Sequence, residues 1–156
     1  MAVRQGYSPT ATVTRPNDTT AYTAGDVVGG AITLGQFGPR ESTMMVLSSQ
    51  LIVATTGVIS GETSYRLHLY NATPPSALAD NAAWDLADAD LDSYQGYIDL
   101  GTVVDVGANL HVQTDAINHC VRMADEAGVM YGYLVTVGGY TPTANRVYRL
   151  TLHAVV

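Results

Sequence analysis

The sequence predicts an all-β chain, an antiparallel β-sandwich of jelly-roll type with a short helical insertion around residues 77–91. Three observations carry this expectation. Several segments alternate apolar and polar residues with period two, turn clusters of Gly, Pro and Asn separate them, and a single Ala/Leu-rich stretch breaks the pattern.

Taken in order, Thr10 to Thr14 alternates and stops at Arg15-Pro16-Asn17-Asp18, where proline cannot extend a ladder. Asp26 to Leu34 is apolar with two central glycines, which predicts a strand bent by a bulge. Ser42 to Val58 is divided by Ser48-Ser49-Gln50 and reads as one bent strand or a hairpin. Ser64 to Tyr70 alternates cleanly, with Tyr65, Leu67 and Leu69 on one face and Arg66, His68 and Tyr70 on the other. Gly107 to Thr114, Ile117 to Met123 and Val129 to Gly138 follow as strands. Arg146 to Val156 closes the series, with Tyr148, Leu150, Leu152 and Ala154 opposite Arg149, Thr151 and His153, the half-buried antiparallel pattern. Ala77 to Leu91 predicts one or two helical turns, with Ser76 or Asp80 as the cap, and Trp84 as an anchor that pins the insertion to the core. Residues 1–9 lack periodicity and predict an extended N-terminal arm, which leaves 10–156 as a single sandwich domain.

A chain of 156 residues fits one domain and can build a core without disulfides or metal. Charged residues are only 13% of it, against about a quarter in an average globular protein, which suggests that a partner covers part of the surface. Seven Arg, with no Lys, stand against fourteen Asp and Glu for a formal net charge of −7. That balance argues against nucleic-acid backbones and anionic membranes, both of which need clustered cations. The single Cys120 forms no internal disulfide and is expected as a small buried hydrophobe. No signal peptide or transmembrane run is visible, so synthesis in a host cytoplasm is expected.

Three runs carry a resemblance. The run HLYNATPPSALADNAAWDLADADLDSYQGYIDLG, ending at Gly101, resembles a pattern of tailed-bacteriophage head structural proteins: a strand, a Pro-containing loop, a DNAA-aromatic piece, an acidic Asp-x-Asp stretch and a Gly-aliphatic strand. The run VTRPNDTTAYTAGDVVGG near the N-terminus and the ending GGYTPTANRVYRLTLHAVV resemble the same family's opening signature and final hairpin. The family is that of capsid cement, or decoration, proteins with a jelly-roll fold. The resemblance implies a virion protein on the outer surface of a capsid, binding the major capsid protein, and it supplies no catalytic residues.

The residues themselves offer few chemical constellations. Counted from Asp88, the residues Asp90, Asp92 and Asp99 fall at the third, fifth and twelfth places of a calcium loop. Ser93 replaces the turn glycine and Asp99 is shorter than the usual Glu, so an acidic turn that caps a helix accounts for them better. His68, His111, His119 and His153 are scattered, and no metal or other cofactor is expected. His68 and His153 fall on polar strand faces. No Gly-x-Ser-x-Gly elbow and no phosphate-binding loop with a Lys is present, so no catalytic residue is nominated and the chain is not expected to be an enzyme.

Ten tyrosines suit either subunit interfaces or packing over sheets. The interface candidates are Arg4, Tyr7, Arg15, Tyr22, Tyr94 and Tyr97, with Arg4 and Arg15 facing acidic groups of a shell. A symmetric homo-oligomer is expected, trimer ahead of dimer. The competing expectation is a glycan-binding module of a tail fibre or head surface, since one architecture serves both roles.

Overall fold

The computed structural model describes residues 5–74, 76–124 and 128–156. Its strands are β1 (Gly6–Tyr7), β2 (Thr10–Thr14), β3 (Val27–Leu34), β4 (Thr43–Val53), β5 (Ser64–Tyr70), β6 (Tyr94–Thr102), β7 (Val104–Asp105), β8 (Leu110–Thr114), β9 (His119–Arg122), β10 (Met130–Thr136) and β11 (Val147–Val155). They form two antiparallel sheets. In the first, β11 lies between β4 and the end-to-end pair β1 and β2, while the far side of β4 carries β8 and β9, with β7 outside β8. The second runs β3-β10-β5-β6.

Counting β1 with β2 and β8 with β9 as interrupted single strands, the sheets read first-eighth-third-sixth and second-seventh-fourth-fifth. That order is two Greek keys wound into a jelly roll. The expected sandwich is therefore what the chain forms. Its inner faces bury an aliphatic and tyrosine core that includes Leu34, Phe37, Met44, Leu51, Leu67, Leu110, Leu134 and Leu150. The flanks are closed: β2 packs on β3, and Thr114 Oγ1 donates to the Leu100 carbonyl at 2.8 Å across the β6–β8 seam.

The strand patterns explain the details. Ser42 to Val58 resolves into one long strand, β4, whose pairing with β11 shifts register opposite His153 and Ala154. The glycine pair in β3 makes the expected bulge: Tyr133 pairs with Ala31 and Leu134 with Val28, leaving Gly29 and Gly30 unpaired at φ +74° and +90°, a region that glycine enters without steric cost. A Cβ on Gly29 would lie 2.1 Å from Val13 Cγ1, so the bulge also admits β2.

Two expectations change. Residues 5–9, the described part of the predicted arm, lie along β11. Gly6 pairs with Val155 and Tyr7 with Ala154, in the register that β2 continues after Pro9, and Leu152 N donates to the Pro9 carbonyl at 3.0 Å. Pro9 interrupts the strand without ending it, because only its carbonyl is needed there. The insertion holds no α-helix: over residues 77–91 the only helical piece is a 3-10 turn, Asp88–Asp90. Asp residues favour local side-chain bonds over helix interiors, and the rest of the segment makes tertiary backbone bonds instead, with Val27 N donating to Ala82 O and Trp84 N to Gly25 O.

One end of the sandwich is held by a buried polar network. Arg146 Nη2 donates to both Glu62 carboxylate oxygens at 2.9 Å, and both side chains are fully buried. Tyr65 donates its hydroxyl to Glu62 at 2.6 Å, and its oxygen also shares a bond with Tyr140, which shares one with Tyr148. Burial pushes the pKa values of these three phenols up, so they remain neutral. The Arg146 guanidinium lies against the rings of Tyr140 and Tyr148 at 5.6 and 5.5 Å, contacts that offset part of its desolvation. Removing one partner of such a pair leaves the other charge buried alone. Glu62→Gln is therefore expected to lower unfolding free energy by about 3 kcal/mol, whereas Arg66→Ala, which breaks an exposed pair, costs no more than about 1 kcal/mol. Urea denaturation of both variants checks this, and equal effects would remove the buried pair's special role.

Candidate functional site

The segments that carry the family resemblance are far apart in sequence and meet in space. Arg15, at the end of β2, donates from Nε to the Tyr22 hydroxyl at 3.0 Å and from Nη2 to Asp18 and Asp80 at 3.0 and 3.4 Å. Tyr22 donates to Asp80 at 2.5 Å and Gly29 N does so at 2.7 Å. Arg15 and Tyr22 are 1% and 2% exposed. Both were expected at an interface, and both are instead internal ties between the opening segment and the insertion, because Asp80 supplies the acceptor that lets them be buried.

Beyond this knot, the insertion lies across the outer face of the second sheet. Cross-strand register places Val135, Arg66 and Asp99 in one row, Tyr133, His68 and Tyr97 in the next, and Tyr131, Tyr70 and Tyr94 in a third. Leu78, Trp84 and Leu86 pack over Val27, Tyr70, Tyr133 and Val135. Trp84 thus pins the insertion to the outside of a sheet, outside the core between sheets. Its ring stacks on His68 at 3.6 Å and its Nε1 donates to the Tyr70 hydroxyl at 3.2 Å. His68, expected on a polar surface, is buried under it. Tyr94 is half-buried and shares a hydrogen bond with His68 Nδ1 at 2.9 Å, while Tyr97 is 46% exposed. A cleft of about 300 Å³, lined in part by Arg66, His68, Trp84 and Val135, stays open beside them.

The calcium candidates do not converge. Asp90 is buried and accepts from Ser76 N at 3.1 Å, Asp99 sits on β6 and pairs with Arg66 at 2.8 Å, and Asp88 and Asp92 point to solvent. Among the described residues no three His, Cys, Asp or Glu side chains are placed to share a metal ion. Tyr7 is half-buried against the core, and Arg4 lies outside the described residues.

The opposite face lies outside the first sheet. Its cross-strand rows run Val104, His111, Ile52, Arg149, Thr12, then Gln113, Gln50, Thr151, Thr10, then Cys120, Met45, Val155. None of these positions carries a carboxylate, and the charges are those of Arg149 and, beside Thr43, Arg122. The nearest acid on β8's side, Asp115, follows that strand and accepts from Gln113. Polar atoms in the middle are paired sideways, Gln50 with His111 at 3.1 Å and Thr10 with Thr151 at 3.0 Å. Two shallow hollows mark its ends: about 200 Å³ beside Met45, Cys120 and Val156, and about 290 Å³ beside Ile52, Val147 and Arg149. Cys120, expected to be buried, is exposed there.

Sequence reading missed this face as a unit. Its signal is a run of Thr, Gln, His and aliphatic residues at the outward positions of strands with no Asp or Glu, in a chain that has fourteen. The central rows of the face are weakly polar, and their one charged side chain is Arg149, with Arg122 beside them.

Neither a family model nor a curated protein matches the sequence. Among solved structures, the chain is similar to a chain of tomato aspermy virus at 9% identity and a TM-score of 0.33, covering 99% of this chain and 78% of that one. It is also similar to a chain in the capsid of the Helicobacter pylori bacteriophage KHP30, at 13% identity and a TM-score of 0.30, covering 99% and 94%. A chain of rhinovirus-B5 follows at 12% identity and a TM-score of 0.31, covering 93% and 71%. At these scores the likenesses carry no functional argument. The class the molecule belongs to, a single jelly-roll domain, rests on its own strand order.

His68 makes the second face sensitive to acid. Burial, with Arg66 nearby and Asp99 opposing, lowers its pKa from 6.5 to about 4. A histidine held neutral in the fold but able to charge when unfolded contributes stability above pH 6.5, and that stability is lost as pH falls toward 4. The wild-type protein is expected to lose as much as about 3 kcal/mol in that window through this group. Urea titrations at stepped pH, compared with His68→Gln, measure it, and parallel slopes for the two proteins would rule His68 out as the source.

Proposed function

We propose that this protein is a virion structural protein that binds the outer surface of a bacteriophage capsid and cements the shell of major capsid protein, and that it is not an enzyme. The observation that carries the reading is the outer face of the first sheet, whose central rows hold no Asp or Glu in a chain of net charge −7, with Asp105 and Asp115 only at its β7–β8 margin. An acidic protein that keeps the middle of one broad face free of acids has a surface suited to an acidic partner, because like charges across an interface oppose docking. Arg149 and Arg122 would meet carboxylates of the shell, and the end hollows would receive apolar side chains of the kind that dominate interface energetics. The resemblance to head structural proteins and the jelly-roll topology agree with this role, although the topology alone serves lectins and enzymes too. Repetition over a symmetric lattice would turn modest single contacts into strong net binding. A homotrimer, ahead of a dimer, would match a local symmetry axis of such a shell.

A second reading, a glycan-binding module of a tail fibre or head surface, is favoured by the open cleft at Arg66 and Trp84. Copy number separates the two: a cement protein occupies every equivalent lattice position, and a fibre module is present in a few copies.

Co-sedimentation with expanded capsids lacking this protein tests the proposal, with Cys120 as a built-in reporter. Binding should saturate at a symmetric number of copies, the Cys120 thiol should react more slowly with maleimide in the bound state, and Arg149→Glu should weaken binding about tenfold or more. Absence of binding, or a handful of copies per particle, would overturn the cement reading. Saturable binding with Cys120 fully reactive would move the contact to another face.

A further inference from the structure

We propose that the cleft on the outer face of the second sheet is a binding site for a neutral saccharide, with Arg66 and Trp84 in its lining and Asp99, paired to Arg66, at its margin. The proposal deepens the second reading above by naming the ligand class of its cleft, and copy number per particle tests the cement role separately.

Three features define the ligand class. The first is aromatic: Trp84, partly exposed, walls a cleft of about 300 Å³, and Tyr97 lies alongside, 46% exposed, with its ring 5.4 Å from His68. Flat aromatic surface left at a cleft edge matches the C–H face of a pyranose ring. The second is a paired donor and acceptor. Arg66 Nε donates to Asp99 Oδ1 at 2.8 Å, and the guanidinium lies over the Tyr97 ring at 5.1 Å. Its two terminal nitrogens and Asp99 Oδ2 have no hydrogen-bond partner among the described residues, and the two side chains are 44% and 63% exposed. Neighbouring hydroxyls on a sugar can donate to a carboxylate oxygen and accept from a guanidinium at the same time. The third is rigidity. Arg66 and Asp99 sit opposite each other on adjacent strands, and Trp84 is tied by its stack on His68 and its bond to Tyr70, so little order is lost on binding.

Other ligand classes fit less well. A phosphate or uronate would meet the Asp99 carboxylate and the chain's net negative charge. An apolar peptide side chain would desolvate the Arg66–Asp99 pair without replacing its water contacts. The cleft also lies on the far side of the sandwich from the outer face of the first sheet, so it stays open when that face is covered.

Trp84 is the only tryptophan in the chain, and its emission reports the site directly. Titration of the intact protein with neutral hexasaccharides of glucose, mannose and N-acetylglucosamine, with polygalacturonate and inorganic phosphate as controls, tests the assignment by fluorescence and calorimetry. At least one neutral sugar should bind saturably with a change in Trp84 emission, and Arg66→Ala and Tyr97→Ala should each weaken it about tenfold. Both substitutions are at exposed side chains, and circular dichroism checks that the fold survives. No heat and no emission change with any neutral sugar, or binding that is unaltered in Arg66→Ala, would overturn the proposal.

Discussion

The Asp80 carboxylate collects donors from three separate parts of the chain, and the placement of the insertion depends on it. Arg15 comes from the end of β2, Tyr22 from the loop that follows, and Gly29 from the bulge of β3. A carboxylate that accepts several bonds, one of them from a cation, is held far more firmly than a neutral acceptor. With Asp80 in place, Val27 N donates to the Ala82 carbonyl, Asn81 N donates to the Val27 carbonyl and Trp84 N donates to the Gly25 carbonyl. Without it, Arg15 would be a buried charge with only Asp18 to answer it, and the aromatic rows under Trp84 would lose their cover.

This dependence explains which features could be read from sequence. Strands with one dry face, such as Ser64–Tyr70 and Val147–Val155, announce themselves by alternation, because their period is a local property. The bulge at Gly29 and Gly30 is legible for the same reason. Arg15 and Tyr22 are not: their acceptor lies 65 and 58 positions away, and no periodicity encodes a partner at that distance. The insertion reads as helix because Ala and Leu dominate it, yet its backbone is recruited by β3 and the 21–26 loop. Strand β6 is anticipated only through the family resemblance, since Gly96 and Gly101, both at positive φ, interrupt its alternation. Of the interface candidates, Tyr94 and Tyr97 lie on the outer face of the second sheet, half-buried and exposed respectively, and their neighbours Arg66 and His68 come from a strand whose contribution emerges only when the register is known.

The distribution of charge has the same origin in the fold. Asp80, Asp85, Asp88 and Asp90 belong to the insertion, Asp92 follows it and Asp99 stands on the next strand, so negative charge gathers over the second sheet. The central rows of the first sheet's outer face are left to Thr, Gln, His and aliphatic residues with Arg149, and Arg122 stands beside them. A sandwich decorated in this way has two chemically different broad faces about one sheet-packing distance on either side of a common core. Association through one face and ligand recognition through the other would then require no conformational change to operate together.

The wiring of the first sheet also has a consequence for biosynthesis. Strand β11 is flanked by β1 and β2 on one side and by β4 on the other, so β1 and β2 can pair only after residues 147–155 have been made. Strand β4 can pair earlier with β8 and β9, but loop closure between β2 and β11 spans so many positions that it is slow compared with local folding. The nascent chain therefore holds β2 unpaired until β11 emerges, the state in which β-rich chains aggregate or recruit chaperones. The scarcity of long apolar edges on β2, where Thr10, Thr12 and Thr14 alternate with Ala11 and Val13, limits that hazard during the wait.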